Sequence, residues 1–331
     1  MNGYAIENRE VSWTLFGIPL RGTITAPAGR EAGPAVIFVA GSGPTDRNWC
    51  SPLLPGTNGS AKLLAEMLAS KGFITLRYDK LAANPEIVRH QEDLTGRISM
   101  QSHIDELAGA VTTLTLEFAV SSLFALGNSE GCIHAVNYQL QKTGVPFAGL
   151  VLTGAPGRTV GEVARGQLAA QLASLPGSGA HVMAYYDRVI ADFTAGKPMQ
   201  TDPAYPKEIN QFLRTLENPL NLPFSRELWT YSLPEHLAGV DVPVLVLIGK
   251  KDIQIDWIAD GKPLEAALSG KPDAALVWPE QANHVLKHES RKREDLDAAS
   301  VYSRYNAADA GLDTEASDAI LGWLTKHSRD S

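Results

Sequence analysis

Hydrophobic and polar positions follow two rhythms along this chain. Val11 to Thr25, "VSWTLFGIPLRGTIT", reads as two short strands joined through Gly17, a hairpin. "PAVIFVAGSGP" then holds an apolar strand at Ala35–Ala40 that breaks into a glycine-rich loop. Helical spacing follows in "SAKLLAEMLASKG", which Gly72 closes. The alternation continues with a strand "FITLRYD", an amphipathic helix "HIDELAGAVTTLTL", a strand "SLFALG", a helix "CIHAVNYQLQKTG" and a strand "FAGLVLTGAPG". Strands and helices in alternation imply a mainly parallel sheet covered on both faces, an α/β class.

From Arg158 to about Glu235 the rhythm changes. "VGEVARGQLAAQLASL", "HVMAYYDRVIADFTAG", "YPKEINQFLRTL" and "SRELWTY" are all helical in spacing, with Pro and Gly clusters between them. Strand patterns return in "PVLVLIG" and "AALVWP", before a closing helix "SDAILGWLTKH". The expected organisation is a core formed by residues 1–157 and 236–331, with a helical cap, 158–235, inserted in it and lying over one end of the sheet.

One stretch combines strand, sharp turn and helix with a reactive side chain. In "FALGNSEGCIHA", Ser129 has Gly127 and Gly131 two places to either side. Gly-x-Ser-x-Gly alone is weak. Between an apolar strand and a helix it places a serine on a strained elbow, its Oγ exposed above the sheet. An alcohol needs a base, and the base needs a partner that sets its tautomer. The elbow arrangement requires the order Ser, acid, His, each acid or base following a later strand. "VPVLVLIGKKDIQID" offers Asp252, three residues after Gly249, with Asp256 as the competitor further along the loop. His284 in "WPEQANHVLK" follows the last strand, His288 sits at an expected helix start, and His134 lies beyond the turn on the elbow helix. Two backbone N–H groups must meet the oxyanion of acyl transfer. Glu130, after the nucleophile, supplies one; Ser42 in "GSGP" is the choice for the other, with Gly43 as alternate.

Together these segments resemble the α/β-hydrolase superfamily over nearly the whole chain. "GSGPTDRN", "LGNSEG", "GKKDIQ" and "ANHVLK" are similar to the oxyanion loop, elbow, acid and histidine segments of a bacterial serine esterase-like branch related to serine aminopeptidase-type hydrolases. The resemblance implies an α/β-hydrolase fold, Ser129 as nucleophile, Asp252 as acid, His284 as base, and Ser42 and Glu130 as oxyanion donors. It also marks Asp46, Arg47 and Asp79 as residues that fix the loop. Asn128 stands where many relatives have His, and "RYDKLAANPE" lacks the Arg-Gly that usually follows such a strand.

The expected activity is hydrolysis of a carboxylic ester through an acyl-enzyme, without metal or organic cofactor. Alternatives are a peptidase or amidase, in which Glu162, Asp187 and Asp192 would hold an α-amino group, a thioesterase, and a ligand-binding receptor that retains the triad. Trp229, Tyr231, Tyr185, Tyr186 and Phe193 either line an acyl site or pack the cap helices together.

Composition narrows the partners. A formal net charge of −8 over 331 residues argues against nucleic acid. No apolar run is long enough to span a bilayer, and no secretory pattern opens the chain. Cys50 and Cys132 stand far apart, outside any metal spacing, and suit packed thiols in a cytoplasmic protein. The expected partner is therefore a small-molecule ester.

Overall fold

The computed structural model describes residues 3–84, 87–173 and 179–328. Strands β1 (Ile6–Leu15) and β2 (Ile18–Pro27) pair antiparallel through Phe16 and Gly17, both at positive φ. Two such residues give a turn whose twist matches that of the strands it joins. The hairpin expected around Gly17 is thus present, and longer at each end than its alternation suggests. The remaining strands are β3 (Ala32–Val39), β4 (Ile74–Tyr78), β5 (Ala119–Asn128), β6 (Gly149–Thr153), β7 (Val244–Leu247) and β8 (Ala274–Val277). They form one eight-stranded sheet in the order β1-β2-β4-β3-β5-β6-β7-β8. β2 meets β4 antiparallel, and every pair from there to β8 is parallel.

This order positions the chemistry. The parallel strands all end on one edge, the edge at which α/β sheets place their ligands. β5 lies between β3 and β6, so the elbow after Asn128 emerges beside the loop that begins at Ala40. β4, β6 and β7 are wholly buried, as expected of strands covered on both faces. Phe38, Phe124, Leu126, Val151 and Leu245 pack with Leu64, Leu68, Ile320 and Trp323 of the flanking helices in a common core. Among the described residues, no helix is long and apolar enough to cross a membrane.

The chain divides into two compact units. The first contains the sheet and comprises 1–87, 104–157 and 233–331; the second comprises 158–232 together with 88–103. The sequence pattern places a helical block at 158–235; the second unit ends at 232 and includes 88–103, which that pattern places in the core. Within the second unit, Tyr185, Tyr186, Phe193 and Trp229 form the apolar centre with Val189 and Leu213. Tyr185 stacks on Tyr205 at 3.8 Å between ring centroids, and Phe193 meets Trp229 edge-on at 6.1 Å. These four aromatics hold their own helices together.

Candidate active site

The turn after β5 is strained where the sequence leads one to expect it. Ser129 sits at φ 55°, ψ −122°, a region that side chains rarely adopt. Its N–H donates to the Thr153 carbonyl at 2.9 Å, and its own carbonyl accepts from Cys132 N at 3.0 Å, which hold the bend. The flanking glycines are required by close approach. A Cβ at Gly127 would stand 2.7 Å from Cys132 N, and one at Gly131 would collide with the Val39 carbonyl of the neighbouring strand. Ser129 is half-buried, at the head of helix Glu130–Gln141.

Asp252 follows β7 on a tight turn and is completely buried. Its Oδ1 accepts from Gln254 N at 2.8 Å and Ile255 N at 2.9 Å, which leaves Oδ2 to face His284 Nδ1 at 2.7 Å. The His284 side chain is 6% exposed. An imidazole so held by a carboxylate keeps its second nitrogen free to exchange a proton. Asp256, the competing acid, turns elsewhere: its Oδ1 accepts from Ile258 N and Ala259 N, and its Oδ2 pairs with Arg293 at 3.1 Å. His288 does not open a helix; it lies in an extended connection and faces Asp313 Oδ2 at 3.1 Å. His134 is buried on the elbow helix, with Nε2 3.3 Å from Glu130 Oε1.

Ser129, His284 and Ser42 line a common cavity of about 260 Å³, with Gly41, Gly43 and Asn128 beside them. Its apolar wall is Trp49, Leu53, Leu54 and Val285, and Tyr302 and Tyr305 complete it. Tyr305 accepts a hydrogen bond from Gln254 at 2.9 Å, which ties that wall to the acid loop. A larger open hollow around Arg47 and Arg77 (about 930 Å³) shares Pro44, Ser51 and Leu54 with this cavity but is not lined by Ser129, His284 or Ser42, and another of about 880 Å³ lies within the second unit at Pro203–Pro219.

The loop after β3 is buckled by the three residues singled out above. Asp46 Oδ1 accepts from Asn48 N and Cys50 N, both at 2.8 Å. Arg47 reaches Asp79 with its side chain at 2.7 Å and its backbone N–H at 2.8 Å, so the ends of β3 and β4 are joined. Both cysteines are buried and free. Burial pushes the Cys50 thiol up to about 11 and the Cys132 thiol higher still, so neither offers a thiolate at neutral pH.

Some features have no signal in the pattern of the chain. Asn128 donates its side-chain N–H to the His284 carbonyl at 3.0 Å and to Thr153 Oγ1 at 3.2 Å, so it couples the elbow to the histidine loop. Gly154, at φ 53°, clears space for the imidazole: a Cβ there would come within 3.1 Å of the ring. The Asn283 side chain accepts from Val285 N and Lys287 N, and Leu286 takes a positive φ, so the residues after His284 reverse direction.

Lys287 closes that reversal, its buried ammonium donating to the Asn58 and Ala310 carbonyls at 2.9 and 2.8 Å. Burial lowers its pKa from 10.5 to about 8. Between those values the unfolded chain binds more protons than the folded one, so this group's contribution to stability rises with pH across the window and is lost as pH falls through 8. In urea unfolding, wild type should therefore gain on Lys287→Met between pH 8 and about pH 10. A stability difference independent of pH would contradict this.

No family model matches the chain. Esterase EstD of Thermotoga maritima is 32% identical to it over 155 residues, which are 47% of this chain and 34% of that protein. The match thus spans about a third of that relative's length. Brefeldin A esterase, a bacterial homologue of human hormone-sensitive lipase, superposes with a TM-score of 0.56 at 14% identity, covering 100% of this chain and 79% of that one. Proline iminopeptidase of Mycobacterium smegmatis does so with a TM-score of 0.52 at 18% identity, over 98% of this chain and 99% of that one. Together with the sheet order and the elbow, these likenesses show an α/β-hydrolase fold.

Proposed function

We propose that this protein is a serine hydrolase that cleaves carboxylic esters of short acyl groups. The observation that carries the reading is the buried Asp252–His284 pair, 2.7 Å apart, opening on the cavity that Ser129 enters from a strained elbow. In the proposed cycle His284 takes the hydroxyl proton of Ser129 as Oγ attacks the ester carbonyl. Asp252 stabilises the imidazolium, and the N–H groups of Ser42 and Glu130 receive the oxyanion. His284 then protonates the departing alkoxide. Water, deprotonated by the same imidazole, releases the carboxylic acid and restores Ser129.

Ester rather than amide chemistry is favoured on two grounds. The partial sequence relative is named an esterase. The acidic residues that a peptidase reading needs are engaged inside the helical unit: Glu162 caps its own helix by accepting from Thr159 N at 2.7 Å, Asp187 pairs doubly with Arg165 at 2.8 Å, and Asp192 lies 3.9 Å from Lys197. Acetyl to butyryl groups fit within the cavity, whereas longer chains would have to extend into the open hollow that shares Pro44, Ser51 and Leu54 with it.

A fluorophosphonate should label the wild-type protein on the peptide that contains Ser129. p-Nitrophenyl acetate and butyrate should be turned over well above p-nitrophenyl palmitate or an amino-acid anilide. Preference for the anilide would replace the esterase reading with a peptidase, and labelling without turnover of any ester would replace it with a receptor.

A further inference from the structure

Lys80 follows β4 and Asp79, and it is 4% exposed. Its ammonium donates to the carbonyl oxygen of Gly41 and lies 3.2 Å from Glu130 Oε1, which is itself 5% exposed. The two partners are remote from each other in sequence, but each is joined covalently to one of the N–H groups assigned to the oxyanion. The Gly41 carbonyl and the Ser42 N–H are the two ends of a single planar peptide group. The Glu130 carboxylate belongs to the residue whose backbone N–H is the second donor.

We propose that Lys80 is the positioning residue of the oxyanion hole. Because the peptide unit is rigid, fixing the oxygen of Gly41 also fixes the direction of the Ser42 N–H. A charged donor on that oxygen draws electron density toward it and leaves the N–H at the other end more acidic, the cooperative strengthening expected along a hydrogen-bonded chain. The bond to Glu130 anchors the same ammonium to the first residue of the elbow helix, so the two donors are held at a set distance from Ser129. Stability alone gives a poor account of this arrangement, since a buried ion pair is often no more stabilising than apolar residues of the same volume. Nor does the loop need it for attachment, because Arg47 already ties that loop to Asp79.

The inference rests on the serine hydrolase reading, and the experiment separates the two. Ser129-dependent fluorophosphonate labelling of wild type is established first; its absence would overturn the reading itself. Lys80→Met is then compared with Lys80→Met/Glu130→Gln, which also neutralises the carboxylate that the single change leaves beside His134 without its ammonium, and so keeps a folded variant in hand. In the double variant kcat for p-nitrophenyl butyrate should fall about ten- to a hundredfold with KM within about threefold, less than the loss of a whole donor because the N–H remains. A trifluoromethyl ketone, to whose carbonyl the serine Oγ adds to give a hemiketal oxyanion, should lose affinity by the same factor as kcat/KM. Lys80→Arg, able to donate to both acceptors, should recover part of the loss. A folded double variant with kcat within about threefold of wild type, or a loss confined to KM with ketone affinity unchanged, would overturn the assignment.

Discussion

Replacing Ser129 with alanine should abolish fluorophosphonate labelling and lower ester turnover by about five to six orders of magnitude, the scale on which a serine hydrolase depends on its nucleophile. The fold should survive, because the hydroxyl is not what closes the elbow: the bend is held by Ser129 N to Thr153 O and Cys132 N to Ser129 O, both backbone bonds. Alanine inherits the strain of φ 55°, ψ −122° unchanged. Glycine does not. Ser129→Gly should be equally inactive yet unfold at a higher urea concentration, by an increment of about 1 kcal/mol, since only glycine occupies that region without steric cost. Inactivity with a gain in stability would mean that the serine is retained at this bend for its chemistry. Ester turnover in Ser129→Ala within tenfold of wild type would instead place the nucleophile elsewhere.

The sheet, the hairpin and the elbow were legible because each is written in local periodicity and in residues with special backbone needs. Gly127 and Gly131 bracket Ser129 at the spacing the turn requires, and a fully apolar run identifies β7 before Asp252. Chain order then pointed to His284, because few histidines follow a strand late in the sequence. What stayed hidden depends on contacts between distant loops. Nothing near Asn128 predicts that its side chain bonds the His284 carbonyl, 156 residues away in sequence. The 287–312 segment has neither strand nor long-helix rhythm, so the wall formed by Tyr302 and Tyr305 could not be anticipated; Val285, Val301 and Tyr305 make a small core there with Leu54 and Ile253. Residues 88–103 join the helical unit although they precede it by more than fifty positions. The aromatic residues of that unit carried an ambiguous signal, since apolar rings at helical spacing serve packing and binding equally well, and four of them pack.

The choice between two neighbouring carboxylates carries the second large effect. Asp252→Asn should lower kcat by about four orders of magnitude while leaving the fold intact. An asparagine can still accept from Gln254 N and Ile255 N with its oxygen, but the atom then facing His284 is an NH2 donor. The imidazole must turn its unprotonated Nδ1 toward that donor and carry its proton on Nε2, the tautomer that cannot take a proton from Ser129. Asp256→Asn should behave differently. Its backbone donors, Ile258 N and Ala259 N, remain satisfied by the amide oxygen, and the pairing with Arg293 is weakened. Because Arg293 also donates to the carbonyls of Lys250 and Asp252, a slight loosening of the acid loop is expected, visible as a kcat change within about threefold and a stability cost under about 1 kcal/mol. The two variants, measured side by side on p-nitrophenyl butyrate, isolate the carboxylate that orients the histidine. If Asp256→Asn were the inactive one, the 2.7 Å contact between Asp252 and His284 would be structural and the acid of the site would have to be reassigned.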